Sequence, residues 1–195
     1  MALTPEQAER VRYLAEDEWS GDSKDEAAQW ADFDRVLATM TAEELHAFVQ
    51  EMNWDGGGAD RLTRVLAHPR CDRGTALMIY WLAQPTFYLP YETRDRVRDE
   101  LWPSALKDYD MLRDIERRFA DGGFASADIA FNPADDRGLD RTAKQPRKRP
   151  VPIYGTENGR RVQLNKNETL GTRIDPRSVL PAVMFVPIPG RAAGT

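Results

Sequence analysis

Cys71-Asp72-Arg73-Gly74-Thr75 is the stretch whose residue types come nearest to doing chemistry. Cys71 stands just ahead of an expected helix, where the helix dipole lowers a thiol pKa, and Arg70 and Arg73 would favour the thiolate further. A nucleophile also needs a base within reach, and no second motif supplies one. The same residues have a plainer reading. Asp72 caps the helix, Gly74 lets a neighbouring backbone approach, and Thr75 bonds locally. That reading is preferred, and no catalytic residue is assigned.

His46 and His68 are the two histidines of the chain. They are 22 positions apart, which is no metal-ligand spacing, and a single cysteine cannot build a zinc site. No metal and no cofactor are therefore expected. His46 is read as lying on a helix among charges, and His68, before Pro69, as bonding the last carbonyls of its helix. Asn53-Trp54-Asp55-Gly56-Gly57-Gly58 is rich in glycine but lacks the preceding strand and the Lys-Ser/Thr of a phosphate loop, so it reads as a connection between helices.

The acidic stretch Glu16-Asp17-Glu18, followed by Asp22, Asp25, Glu26, Asp32 and Asp34, has four readings. It is a solvated face, a pair of carboxylates for acid–base work, a mimic of nucleic acid, or a surface that docks a basic partner. Trp19 and Trp30 sit inside it, and tryptophan anchors many interfaces. The candidate partner-binding residues are accordingly Glu16, Asp17, Glu18, Trp19, Asp22, Trp30, Trp54, Arg73 and Phe185. Arg147-Lys148-Arg149 suggests nucleic acid, but no aromatic residue interleaves it to form a stacking platform, so nucleic acid is not the expected partner.

Positioning these residues is the work of helices. Thr4-Pro5-Glu6-Gln7 and Thr41-Ala42-Glu43-Glu44 are capping boxes. The first starts a helix to about Asp17, and the second starts one carrying Leu45, Phe48, Val49 and Met52. Between them, Lys24 to Met40 has helical spacing. A short fourth helix buries Leu62, Val65 and Leu66. The fifth, Arg73 to Gln84, is apolar almost all round from Ala76 to Ala83, as expected of a central helix. Pro90 to Phe119 is helical again, with Pro103 either starting a new helix or kinking one long one.

Within this region, Asn53-Trp54-Asp55 and His68-Pro69-Arg70-Cys71-Asp72-Arg73-Gly74-Thr75-Ala76-Leu77-Met78-Ile79-Tyr80-Trp81 resemble the bacterial domain of unknown function 4274, over about residues 41–100. The resemblance implies a short helical domain, with no catalytic mechanism attached. It also implies an immunity or accessory role beside a bacterial toxin or secretion locus.

After Ala125 the composition changes. Asn132 to Gly138 reads as a loop, and Gln145 to Pro150 as a basic, proline-flanked linker. Val151-Pro152-Ile153-Tyr154 and Arg161-Val162-Gln163-Leu164 read as short strands joined by an Asn158-Gly159 type I′ turn, and Val183-Met184-Phe185-Val186 as another strand. The expected organisation is an α-helical domain of about six helices over residues 1–122, a linker over 123–150, and a Pro-rich, basic, mostly non-helical arm over 151–195 that holds a β-hairpin.

Charge divides the chain in the same way. Residues 1–140 carry 16 Lys/Arg against 29 Asp/Glu, net −13, and residues 141–195 carry 11 against 3, net +8. Each part attracts the other or a partner of opposite sign. No apolar run approaches the roughly 20 residues of a spanning helix. Met1–Arg10 is polar and acidic rather than a secretory leader, and one cysteine fits a reducing cytoplasm. The expectation is a cytoplasmic protein that binds another protein, such as a toxin or secreted effector, or that joins a second copy through the arm. Its rivals are a small hydrolase or transferase using Cys71 or the acidic residues, and a nucleic-acid-associated protein using the basic tail.

Overall fold

Both capping boxes form. In the computed structural model, which describes residues 3–16, 26–54, 58–157 and 160–191, helix α1 spans Pro5–Ala15. Thr4 accepts the Gln7 N–H, and the Gln7 side chain accepts the Thr4 N–H in return. Thr41 and Glu44 repeat the arrangement at α3 (Ala42–Glu51). Here the carboxylate is fully buried and does a second job, accepting from Arg10 of α1 at 2.8 Å. A buried carboxylate needs such a partner, and supplying it from α1 fixes that helix against α3. Between them lies α2 (Glu26–Leu37), which buries Phe33, Val36 and Leu37. It stops short of the expected Met40 because Thr39 and Met40 bond three residues back instead of four, tightening the last turn.

Helix α4 (Gly58–Ala67) buries Leu62, Val65 and Leu66. Helix α5 (Arg73–Leu82) is buried without interruption from Gly74 to Trp81, as its apolar run requires. Pro103 starts a new helix rather than kinking one. α6 (Arg94–Glu100) ends, Leu101 and Trp102 extend the chain, and α7 (Pro103–Asp121) begins with Pro103 in its first turn. Gly122, at φ 71°, closes α7. Seven helices among the described residues thus enclose one apolar core.

The chain past α7 adds to that core. Phe131, Leu180, Met184 and Ile188 are buried with the helices. Phe131 and Ile188 exchange backbone hydrogen bonds of 2.9 Å in both directions. Val183–Phe185, expected as a strand, lies instead in a single 3-10 turn, Ala182–Phe185. Pro181 and Pro187 flank it, each with a fixed φ and no N–H to donate.

Strands β1 (Gln145–Glu157) and β2 (Arg160–Ile174) form an antiparallel two-stranded ribbon, longer than the two short strands expected. The register runs from Gln145↔Ile174 to Glu157↔Arg160. Between Pro146↔Arg173 and Lys148↔Thr169 it shifts, so that Arg147 faces the three residues Leu170, Gly171 and Thr172. Such a bulge bends and twists a ribbon, and glycine suits it. The expected Asn158-Gly159 turn lies outside the described residues.

Candidate partner-binding cleft

Asp72 shows how the Cys-Asp-Arg-Gly-Thr stretch is used. Its carboxylate is fully buried and accepts three hydrogen bonds: from Gly74 N (2.7 Å), Ser126 Oγ (2.5 Å) and Asp128 N (2.7 Å). One residue therefore caps α5 and ties residues 126–128 to it. Burial pushes the Cys71 thiol up to about 12, so the thiolate is suppressed at neutral pH. A depressed thiol pKa, which nucleophilic use would require, is not what this environment supplies. Thr75 does not bond locally as expected. Its Oγ1 lies 3.0 Å from Nδ1 of His46. That imidazole packs against α5 with Asp72, Arg137 and Asp136 near enough to act on it, and burial pushes its pKa down to about 4. His68 accepts the Arg70 N–H at Nδ1 (3.1 Å), burial lowers its pKa, and its other backbone partner is Ala38, in the turn that follows α2.

The sequence candidates that the structure describes fall into separate neighbourhoods. Glu16 is exposed at the end of α1. Asp17, Glu18, Trp19 and Asp22 lie outside the described residues. Trp30 is half-buried, edge-on to Phe33 at 5.6 Å, with the Arg64 guanidinium 4.3 Å over its face. Trp54 packs partly buried on the core. Arg73 stacks on Phe119 at 4.7 Å. Phe185 meets Trp81 in a T-shaped contact at 5.1 Å, and the Arg177 guanidinium lies over the Phe185 ring at 4.9 Å.

Of these, Phe185 leads to a concave site. A cleft of about 370 Å³ opens between the end of α5 and the loop before β1. Trp81, Leu82, Thr86 and Phe87 line one side, Leu139, Asp140, Arg141, Ala143 and Lys144 the other, with Gln84 between. The tail braces the walls. Trp81 Nε1 donates to Met184 O at 2.9 Å, and Arg177 donates to Thr142 Oγ1 at 3.3 Å. Thr142 in turn donates to Oδ1 of Asp140 through N (2.9 Å) and Oγ1 (2.7 Å).

Two features of the cleft were not legible as sites. Gln84 is exposed and left-handed (φ 51°), the price of reversing the chain between α5 and the 3-10 turn Pro85–Tyr88. A non-glycine residue there costs about 1–2 kcal/mol. Leu139 is 54% exposed, held out by a tight turn in which Asp136 and Leu139 exchange two backbone bonds of 3.0 Å. Arg137 and Gly138 at its centre have φ 55° and 82°, as a type I′ turn needs. The Asp-Arg-Gly signal could have found this turn, but nothing in the sequence says that Leu139 stays outside. Lys144 stands exposed at the lip, without a carboxylate partner among the described residues.

The cleft thus brings together an aromatic wall, the exposed Leu139, the left-handed Gln84 and the exposed Lys144. No group of three or more His, Cys, Asp or Glu with metal-site geometry exists among the described residues, and no helix among them is long and apolar enough to cross a membrane.

Fold and site together define a helical domain that carries a β-ribbon beside a cleft. Residues 40–120, from just before α3 to the end of α7, match the family model described as Domain of unknown function (DUF4274), and this segment of the chain belongs to that family. Comparison with curated proteins and with solved structures gave no match.

Proposed function

We infer that this chain is a protein-interaction protein which receives a partner in the cleft at the foot of the ribbon. The observation that carries the reading is Leu139. A large apolar side chain is held 54% exposed on a turn beside the aromatic wall of Phe87 and Trp81. Keeping it there costs hydration that a partner's apolar side chain would recover, at about 25 cal/mol per Å² covered. Lys144 and the basic ribbon beyond it favour an acidic partner. An immunity or accessory protein of a toxin or secretion locus is the form of this role that the family resemblance implies, and a cytoplasmic place agrees with a single, buried, unreactive thiol.

The test is co-purification from the source cell with wild-type bait and with Leu139→Asp/Lys144→Glu bait. A partner retained by the wild type and lost from a double variant of unchanged melting temperature supports the reading. The same proteins retained by both baits would sink it.

A further inference from the structure

The ribbon has two backbone edges, and they are not equivalent. The ladder is unbroken from Lys148↔Thr169 to Glu157↔Arg160, although Pro150 and Pro152 stand within it without an N–H to donate. In an antiparallel pair, residues alternate between those that exchange bonds with the partner strand and those whose N–H and C=O face away. Glu157 and Arg160 flank a two-residue connection and form an exchanging pair. Counting back in twos, Gly155, Ile153, Val151 and Arg149 exchange bonds with β2. Pro150 and Pro152 then fall on the outward set, where a missing donor does not interrupt the ladder.

The outer edge of β1 is thereby closed to a further strand, since two of its successive outward positions cannot donate. The outer edge of β2 is different. Its outward positions are the partners of that set: Arg161, Gln163, Asn165, Asn167 and Thr169. None is proline, and the sheet has no third strand among the described residues. A two-stranded ribbon of this length is at best marginally stable in water by itself, and a third strand is what stabilises one.

We propose that the outer edge of β2 takes up an extended, acidic segment of a protein partner as a third antiparallel strand. Charge selects the occupant. Residues 145–174 hold seven Lys/Arg against two Asp/Glu, net +5. A second copy of the ribbon would set +5 against +5, whereas an acidic strand is drawn in, its main chain giving affinity and its charge giving selection. The proposal rests on the interaction role inferred above and names how the partner is held.

The experiment uses the full chain and a dye-labelled peptide of about twelve residues alternating Glu and Val, followed by fluorescence anisotropy. Asn165→Pro/Asn167→Pro removes two outward N–H groups of β2 without touching the ladder to β1, and should weaken binding about tenfold or more. Thr156→Pro, on the already closed edge of β1, should leave it unchanged. The same peptide N-methylated at alternate residues keeps its charge and should lose binding, which tests main-chain pairing without altering the protein. Equal binding of the methylated and unmethylated peptides would overturn the proposal, because charge alone would then suffice. Tighter binding of a DNA duplex than of the peptide, or a doubled mass in light scattering with no peptide bound, would overturn it in favour of nucleic acid or a second copy. Binding lost in Leu139→Asp/Lys144→Glu but untouched by the edge prolines would overturn strand addition and leave the cleft reading standing. The reverse pattern would uphold strand addition and remove the cleft.

Discussion

His46 carries a pH dependence that can be read from its surroundings. Its ring lies against Thr75 with a pKa pushed from 6.5 to about 4, chiefly by burial; Asp72 and Asp136 oppose that push and Arg137 adds to it. The folded-state pKa lies below the unfolded one, so the unfolded chain binds the proton more readily between the two values. Stability is full above about pH 6.5 and falls as the pH drops towards 4, by at most about 3 kcal/mol. Asp108 and Glu116 are raised by burial and act in the opposite direction, so the measurement must be a difference. Thermal midpoints of wild type and His46→Gln should diverge across this window, the wild type losing more on acidification. Parallel curves would show that His46 is not the titrating group. That the chain has two histidines was plain in the sequence. That His46 would be buried against Thr75 was not, because the two are 29 positions apart and only packing brings them near.

At the level of elements, residues 128–130 are held between two glycines far apart in the chain, Gly74 and Gly190. A Cβ on Gly74 would sit 2.1 Å from Ile129 O, and one on Gly190 would sit 2.8 Å from Ala130 N. Gly190 also has φ 73°, a conformation that side chains disfavour. Arg191 N donates to Asp128 O at 2.8 Å, and Asp72 holds the Asp128 N–H. Gly74→Ala should therefore force residues 126–131 off the start of α5 and cost at least about 2 kcal/mol. The check is the melting temperature together with protease cleavage within residues 123–131. A variant as stable and as resistant as wild type would show that the contact yields without strain. The role of Gly74 was partly legible: its place after a capping Asp at the head of an apolar helix predicted a close backbone approach. That the approaching backbone is Ile129 could not be read, since no local pattern links the two positions.

For the whole molecule, the ribbon and the tail beyond it should behave as separate parts. Gln145 and Ile174 are register partners, so a short Gly-Gly link can replace residues 145–174 without moving the flanking chain. That deletion should keep the helical circular dichroism and cost less stability than removal of the tail, since the chief contact it takes away is that of β1 with the turn Pro85–Tyr88. Removing residues 175–195 instead takes Leu180, Met184 and Ile188 out of the core, and with them the acceptor of Trp81 Nε1. At about 1.5–3 kcal/mol for each buried side chain, the loss is roughly 5 kcal/mol or more. Equal tolerance of the two deletions would mean that the tail does not belong to the core.

The sequence by itself determined the helices, because capping, periodicity and proline act over a few residues. Thr4 and Thr41 with their partners, the apolar run of α5 and the break at Pro103 were all legible, and so was the place of a hairpin within residues 151–164. The segment that matches DUF4274 was legible from its own residues. Only the tertiary structure decided where the chain outside that segment goes. The apolar run Val183–Val186 between prolines already offered an anchor, and Met184 is buried; that Ile188 joins it and pairs with Phe131 only packing decided. The cleft was likewise invisible, since Gln84 and Leu139 are 55 positions apart and nothing local in either marks them as neighbours. Burial and long-range pairing depend on which surfaces meet, and that is settled when the helices pack, not when they form.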